Sequence, residues 1–463
     1  MNTDALLTRL REALPAERVV TDEAERVAYS YDNSRLQALP DVVVHAAGHD
    51  DVVHVATCCH ALGVPLVARG RGTNTTGASV PVAGGVALSL EGMQRIIDYR
   101  PADRLLVCEA GTLNGTVQST AGADDLFWAP DPTSGGYSTV GGNIACGAGG
   151  PRAVKYGTAR DAVLGLRAVD GSGRTLVTGC RTTKGVVGYD LTRLLVGSEG
   201  TLAIVTEATL KLLPRPALRR TMRAAYRDVE SAAAAVARIM GQPATPCALE
   251  FMDDRAVALA RAHAALDLPE ATGALLLLAA DGFEAGIDHD IAAIRAAAEG
   301  DGLLDWQAAA DEHAADDIWA ARKALSPALR GLAPKKVNED VAVPVSRLAE
   351  LVAGLRELSA RHGLMIVNFG HAGNGNIHVN ILADPDDTAQ MRAIDACLAE
   401  VFTLVLALGG TLSGEHGVGI AKRAFVAQEI DAGTLARMQA IKRLFDPAGI
   451  LNPGKTLPDP VRA

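Results

Sequence analysis

The sequence predicts an α+β protein of two domains and a C-terminal segment, with boundaries at 1–216, 217–408 and 409–463. Three observations predict it. From Asp41 to about Pro214, short apolar runs alternate with glycine-rich turns, the texture of many strands and few long helices. Beyond Pro214 and Pro216, alanine-rich helical stretches near 228–240, 253–265 and 284–299 are separated by strands such as Gly273-ALLLLAAD. Further on, Leu364-MIVNFGHAGNGNIHVNIL reads as strand, turn and strand, followed by a helix around 387–408.

Residues 1–35 read as a short amphipathic helix and a connection. Strands follow at Asp41-VVVH, Val64-PLVA, Val86-ALSL and Leu105-LVCEA, with one helix, Asp51-VVHVATCCHALG, between the first two. Leu194-LVGSEGTLAIVTEATLKLLPRP supplies the strand that closes the first domain. The tail holds a glycine-rich patch, a helix over 434–445 and a proline-rich end.

The bulk numbers exclude several function classes. With 463 residues, 48% hydrophobic and 21% charged, the chain has the balance of a globular protein. Its net charge is −10 and it has no long Lys/Arg block, which argues against nucleic acid or anionic membrane as the main ligand. Seven cysteines form no CxxC pair, so a zinc ribbon, an iron–sulfur cluster and a disulfide framework are poorly supported; reduced thiols are expected. The first 25 residues carry charges throughout and resemble no signal peptide, and no apolar run approaches the roughly 18–20 residues of a membrane span. A cytoplasmic protein, or one peripheral to a membrane, is expected.

Two nucleotide-loop look-alikes need care. Gly449-ILNP-Gly454-Lys455-Thr456 matches G-x-x-x-x-G-K-[ST], but a helical segment precedes it, and Pro458 and Pro460 bar a helix after it. Arg69-GRGTNTTG has Gly70-x-Gly72 after a strand, yet Thr75 stands where a third glycine belongs and Gly84-GVALSLEGM reads as strand. What remains is a loop of backbone N–H groups and hydroxyls that suits either a pyrophosphate or an ordinary turn. The segment Pro130-DPTSGGYSTVGGNIACGAGGPRAVKYGTARD is more telling. Eight glycines between Gly135 and Gly157 cost backbone entropy, and make sense where the chain closely approaches a flat, bulky group.

Together with Gly197-SEGTLAIVTEATLKLLP and Asp446-PAGILNPGK, these motifs resemble the FAD-binding oxidoreductases of the vanillyl-alcohol oxidase and p-cresol methylhydroxylase superfamily. Within it they are similar to the D-lactate dehydrogenases, D-2-hydroxyglutarate dehydrogenases and glycolate oxidase flavin subunits. The resemblance implies a flavin-binding domain of the p-cresol methylhydroxylase type, an α+β substrate (cap) domain, and a C-terminal segment that returns to the flavin. It implies that Arg71, Gly72, Thr73 and Asn74 cradle the FAD pyrophosphate. Pro132, Thr133, Gly136, Ser138, Thr139, Gly142, Asn143 and Ala145 would line the flavin and its phosphates. Gly200 and Ile204 would sit near the adenosine, and Asn452 would reach back to the flavin. Members that tether FAD covalently carry histidine where this chain has Thr73, so non-covalent FAD is implied.

His371-AGNGNI-His378 reads as two strand ends joined by a tight turn, which brings both imidazoles to one end. That is either a pair of ligands for Zn²⁺, Mn²⁺ or Fe²⁺, or a polar hairpin with incidental histidines. Ser413-GEHGVG sets Glu415 and His416 among three glycines, where a helical core is improbable and Glu415 can complete a two-histidine, one-carboxylate site. The resemblance implies that His371, His378 and Glu415 hold a divalent metal, zinc ahead of manganese or iron, and that His416 is the catalytic base. It further implies that Arg322, in Trp319-AARKALSPALR, pairs with the substrate carboxylate, with Asn380 and, more weakly, Lys336 also contacting substrate. Hydroxyglutarate dehydrogenases carry a lysine where Asn338 stands here, which puts a distal carboxylate in doubt unless Lys335 or Lys336 substitutes.

The implied reaction is oxidation of a D-2-hydroxy acid, D-lactate ahead of D-2-hydroxyglutarate, to the 2-oxo acid. With no haem motif, CxxC pair or membrane span, electrons would pass to an external quinone, cytochrome or electron-transferring flavoprotein. A homodimer is compatible with the resemblance. An oxygen-using oxidase, or the flavin subunit of a glycolate-oxidising complex, remains open.

Overall fold

Aspartates placed just before apolar-periodic stretches start several helices of this chain. In the computed structural model, which describes residues 3–263 and 267–459, Asp228 accepts a hydrogen bond from Ser231 N (2.8 Å), Asp311 from Ala314 N (2.9 Å) and Asp387 from Ala389 N (2.8 Å). Each bond satisfies an N–H that a first helical turn otherwise leaves unpaired. The helices are Val229–Met240, Glu312–Leu332 and Thr388–Ala407. Asp254–His263, Glu284–Ala298 and Ala432–Phe445 also lie where the apolar spacing sets them. Leu348–His362 and His49–Leu62 are further long helices.

The chain divides into two compact units. One comprises 1–149, 157–215 and 415–463; the other comprises 150–156 and 216–414. Both mix helix and strand, as an α+β protein should.

The first unit holds two sheets. Val19–Val20, Val42–His45, Val86–Ser89 and Leu66–Arg69 lie side by side in that order, and the last three are parallel. The second sheet is antiparallel, ordered Ile96–Arg100, Leu105–Glu109, Ala203–Pro214, Val163–Asp170 and Thr175–Gly179, with Leu126–Trp128 pairing the far end of the longest strand. Trp128 is wholly buried and its indole N–H donates to Ala162 O at 3.0 Å, so the ring enters the core with its polar atom satisfied.

The tail belongs to this unit. Leu66 N donates to Ile450 O (2.8 Å) and Asn452 N to Leu66 O (2.9 Å), so residues 450–452 run beside the edge strand Leu66–Arg69. A buried turn holds that run in place. The Asp446 carboxylate accepts from Ile450 N (3.0 Å), Leu451 N (2.8 Å) and the Lys442 ammonium, which itself donates to Thr201 O (2.7 Å) and Leu451 O (2.8 Å).

The second unit is built on one antiparallel seven-stranded sheet. Its order is Leu303–Ala308, Leu218–Tyr226, Ala274–Gly282, Ala248–Met252, Met365–Gly370, Asn376–Ala383 and Lys335–Ala342. Residues 274–281 are all buried, which explains a run of four leucines that does not alternate: helices cover both faces. Leu275 and Leu277 pack with Val257, Ala260, Leu325 and Leu329 in one cluster. Among the described residues, no helix is long and apolar enough to cross a membrane, and all seven cysteines are free thiols.

The Asp446 turn makes a stability prediction. Asp446→Ala takes the carboxylate from the half-buried Lys442 ammonium and the acceptor from Ile450 N and Leu451 N, and should cost about 2–4 kcal/mol, somewhat below the penalty for halving a fully buried ion pair. Urea unfolding measures it, and Asp446→Ala/Lys442→Met should recover part of the loss. A cost below about 1 kcal/mol would mean that the turn does not hold the tail.

Candidate functional site

In the first unit, the glycine-dense segment is not a loop throughout. Thr139 caps a short helix, Val140–Cys146, with its hydroxyl accepting from Gly142 N at 3.2 Å. A methyl group at Gly141 would lie 2.7 Å from the Ala110 Cβ, so glycine is what lets this helix press against the strand end. Next to it sits the first loop. The Asn74 carboxamide oxygen accepts from Thr76 N (2.8 Å), Thr76 Oγ1 (2.9 Å) and Ala78 N (3.0 Å), folding the loop around one side chain. Its Nδ2 donates to Cys146 Sγ (3.3 Å) and to the His416 carbonyl (3.0 Å).

The turn before the long strand joins the same assembly. Gly197 N donates to Ile144 O (2.9 Å) and Glu199 N to Ala145 O (2.8 Å). Asn452 Nδ2 donates to Ala78 O (2.8 Å) and Glu199 O (2.6 Å), and Lys455 Nζ donates to Asn452 Oδ1 (2.6 Å). Burial drops the Lys455 amine to about 8, against the pull of Glu199 and Asp32. The structure therefore gathers Asn74, Thr139, Gly142, Asn143, Ala145, Gly200 and Asn452. Of the remaining candidates, Arg71 pairs through Nε with Glu91 (3.1 Å). Gly72 takes a left-handed φ of 63°, and Thr73 lies beside it, half-buried. Pro132 opens a turn, its carbonyl accepting from Gly135 N, while Thr133 and Gly136 are exposed. Ile204 is buried in the sheet opposite Val169.

Thr75 Oγ1, Ser138 Oγ and Asn143 Nδ2 are buried and make no hydrogen bond among the described residues. Buried polar atoms without partners are costly and call for a ligand or ordered water. Two hydroxyls and an amide N–H, spread over the first loop and the glycine-dense segment, fit the phosphates and ring edge of FAD.

Glu199 was not among the expected residues, yet it organises the tail. It is 4% exposed, with a left-handed φ of 53°. Its carboxylate accepts from Val418 N (2.7 Å), Gly419 N (2.9 and 3.0 Å) and Thr456 Oγ1 (2.5 Å). A Cβ at Gly417 would lie 2.0 Å from Glu199 Oε1, which accounts for the glycine after His416. Burial pushes the Glu199 carboxyl above the ordinary range, although Thr456, Gly419, Val418 and Lys422 oppose the shift.

In the second unit, the strand end at Gly370 leads to His371, and the neighbouring strand carries His378. The two rings meet edge to face with centroids 5.1 Å apart, as the hairpin reading requires. His371 Nδ1 lies 2.5 Å from Glu250 Oε1. Glu250 Oε2 accepts a hydrogen bond from Arg322 Nε (2.8 Å), and Arg322 Nη2 lies 2.8 Å from the same oxygen in the ion pair. Arg322 stacks over Phe369, 4.5 Å from the ring centroid. Burial would raise the Glu250 carboxyl, but His371 and Arg322 together outweigh it and hold it below the ordinary carboxylate range.

Asp340 pairs with His378 across the ladder, and its Oδ1 lies 3.8 Å from His378 Nδ1. Asp340 is wholly buried; Asn376 Nδ2 donates to its Oδ1 (2.5 Å), Ser413 Oγ to its Oδ2 (3.4 Å) and Gly414 N to its backbone carbonyl (3.3 Å). His378 and the buried Asp340 thus place an imidazole beside a carboxylate, donor types that suit a divalent ion. Asn380 is fully buried, its Nδ2 donating to the carbonyls of Val367 and His378 (both 3.1 Å). Lys336 donates to Ser326 Oγ at 2.9 Å. Glu250 and Asp340 were not anticipated. A lone glutamate inside the apolar strand Cys247-ALEFM is a signal that could have found the first, since an unpaired carboxylate there would be prohibitive.

The FAD binding domain family matches residues 40–179, and the family of FAD linked oxidases, C-terminal domain, matches residues 215–456. The chain is 36% identical over 456 residues to glycolate oxidase subunit GlcD of Bacillus subtilis (strain 168), covering 98% of this chain and 97% of that one. It is 32% identical over 466 residues to D-lactate dehydrogenase of Anaerostipes hadrus, covering 98% and 97%. A solved structure of p-cresol methylhydroxylase with substrate bound superposes with a TM-score of 0.82 over 99% of this chain and 97% of that one, at 17% identity, a likeness of fold. The chain therefore belongs to the FAD-linked oxidoreductases, in the family of glycolate oxidase GlcD and D-lactate dehydrogenase, on the fold of p-cresol methylhydroxylase.

Proposed function

We propose that this protein is a dehydrogenase that oxidises a D-2-hydroxy acid, D-lactate ahead of D-2-hydroxyglutarate, to the 2-oxo acid, using non-covalent FAD and a divalent metal. The observation that carries the reading is the buried polar chain Arg322–Glu250–His371, with His378 and Asp340 beside it, at one end of the seven-stranded sheet. Bound FAD supplies the acceptor for the C2 hydrogen and its electron pair. A bound divalent ion, with zinc favoured, supplies a Lewis acid for the hydroxyl oxygen.

His371, His378 and Glu415 are the proposed ligands, and Asp340 joins them as a donor that the motif spacing does not reveal. Asp340 and His378 offer a carboxylate and an imidazole in the second unit, and Glu415 and His416 offer one of each in the first. Chain connectivity supports their collaboration, because Ser413 and Gly414 bond to Asp340 and the next two residues are Glu415 and His416. Arg322 presents Nη1 to the substrate carboxylate, its Nε and Nη2 being held by Glu250. His416 accepts the hydroxyl proton as the C2 hydrogen departs with its electron pair, so that the substrate loses two electrons and two hydrogens in all, one from C2 and one from the hydroxyl. Asn380 and Lys336 are secondary contacts whose present bonds would have to be shared or exchanged. Electrons leave through an external acceptor: a quinone, a cytochrome or an electron-transferring flavoprotein. A soluble or peripheral, homodimeric enzyme fits this reading.

A second reading is favoured by the 36% identity to glycolate oxidase subunit GlcD: the same chemistry on glycolate, within a complex. Turnover of glycolate that exceeds D-lactate turnover by the isolated protein would select it.

Two outcomes test the assignment of roles. EDTA should abolish dye reduction while FAD stays bound, and Zn²⁺ or Mn²⁺ should restore it; full activity at zero measured metal would remove the ion from the mechanism. His416→Asn should lower kcat by about 10²- to 10⁴-fold, the usual worth of a positioned proton acceptor, with FAD content unchanged. Near-normal kcat in that variant would place the base elsewhere.

A further inference from the structure

Glu250 stands in the strand Ala248–Met252, every residue of which is buried, and its own exposure is 0%. A carboxylate there is expensive to desolvate, and a buried ion pair is seldom more stabilising than apolar side chains of the same volume. Folding alone would be served by another residue like its neighbours Leu249 and Phe251. The two oxygens of Glu250 are divided between two clients. Oε2 takes both Nε and Nη2 of Arg322, fixing the plane of the guanidinium, while the Phe369 ring supports it at 4.5 Å. Oε1 takes His371 Nδ1 at 2.5 Å.

Each contact dictates chemistry at the far side of the group it holds. An ionised carboxylate accepts only, so His371 Nδ1 must carry a proton, and in the neutral ring the lone pair then belongs to Nε2. A carboxylate behind a metal-bound histidine fixes the ligating nitrogen in the same way. Arg322, held along one edge, keeps Nη1 as the free edge for an anion; it makes no hydrogen bond among the described residues. We propose that Glu250 is a positioning residue that sets both elements of the site at once: the tautomer of His371 for the metal and the orientation of Arg322 for the substrate carboxylate. This rests on the proposed roles of those two residues.

A glutamine cannot serve both clients, because its amide has one acceptor and one donor end, and either His371 Nδ1–H or the Arg322 fork would meet an N–H. In the FAD-loaded, full-length protein treated with EDTA, Glu250→Gln should weaken Zn²⁺ binding by about 10- to 100-fold, the usual cost of losing a partner behind a metal-bound histidine. KM for D-lactate should rise alongside it, while FAD content and the visible flavin spectrum stay as in the parent. Arg322→Lys should raise KM while leaving Zn²⁺ affinity within about twofold, which separates the two clients. Unchanged Zn²⁺ affinity in Glu250→Gln would overturn the proposal. A parent protein that binds no Zn²⁺ and does not turn over D-lactate would instead defeat the reading of the site. One measurement is independent of both: the downfield ¹H resonance of a histidine Nδ1–H bonded to carboxylate, identified by its loss in His371→Gln. Its presence in the parent supports the contact, and its absence there overturns the proposal even if Glu250→Gln does not fold.

Discussion

The buried carboxylate of Glu199 is the contact on which the first unit depends. It sits at the turn before the longest strand and collects backbone N–H groups from Val418 and Gly419 and the hydroxyl of Thr456. Residues more than two hundred positions apart are tied at one point. Asn74 completes the tie by donating to the His416 carbonyl. The main chain on both sides of His416 is therefore fixed from the FAD-binding unit, and Gly417 is glycine because Glu199 leaves no room for a Cβ. A buried carboxylate in this position is tolerable because its lone pairs are met by N–H and O–H groups and because Lys422 and Lys455 lie close enough to offset its charge.

The second unit solves a related problem differently. The central strand of its sheet is apolar on both faces, as the leucine run at 275–278 shows, yet nearby stand the buried polar side chains of Glu250, His371, His378, Asp340 and Arg322. None of these can be left alone in such surroundings. They are satisfied mutually, in a chain running from guanidinium to carboxylate to imidazole, and the geometry so imposed suits carboxylate recognition and cation binding. The same bonds that make the polar groups tolerable also aim them.

Much of this was legible in the sequence because it is encoded locally. Helices were visible in alanine-rich apolar stretches and the hairpin in His371-AGNGNIH, while the return of the tail was implied by the family resemblance of Asp446-PAGILNPGK. The helix Val140–Cys146 was hidden by its glycines, which are there for close packing against Ala110 and not for looseness. The long helix Glu312–Leu332 was obscured by Pro327 in its interior, where buried Leu325 and Leu329 keep the apolar face continuous. Glu199, Glu250 and Asp340 were missed for a deeper reason. Their partners lie 219, 121 and 38 positions away or in comparable ranges, and no spacing rule reports which distant groups a buried carboxylate will meet.

In the proposed reaction, a 2-hydroxy acid of D configuration gives its C2 hydrogen to bound flavin. Anaerobic mixing tests it most directly, because it needs no electron acceptor. The protein as purified should lose its visible flavin absorbance within one turnover on addition of D-lactate or a close D-2-hydroxy acid, and far more slowly with the L enantiomer. Equal rates for both enantiomers, or a flavin that stays oxidised with D-lactate, D-2-hydroxyglutarate, D-malate and glycolate alike, would contradict it.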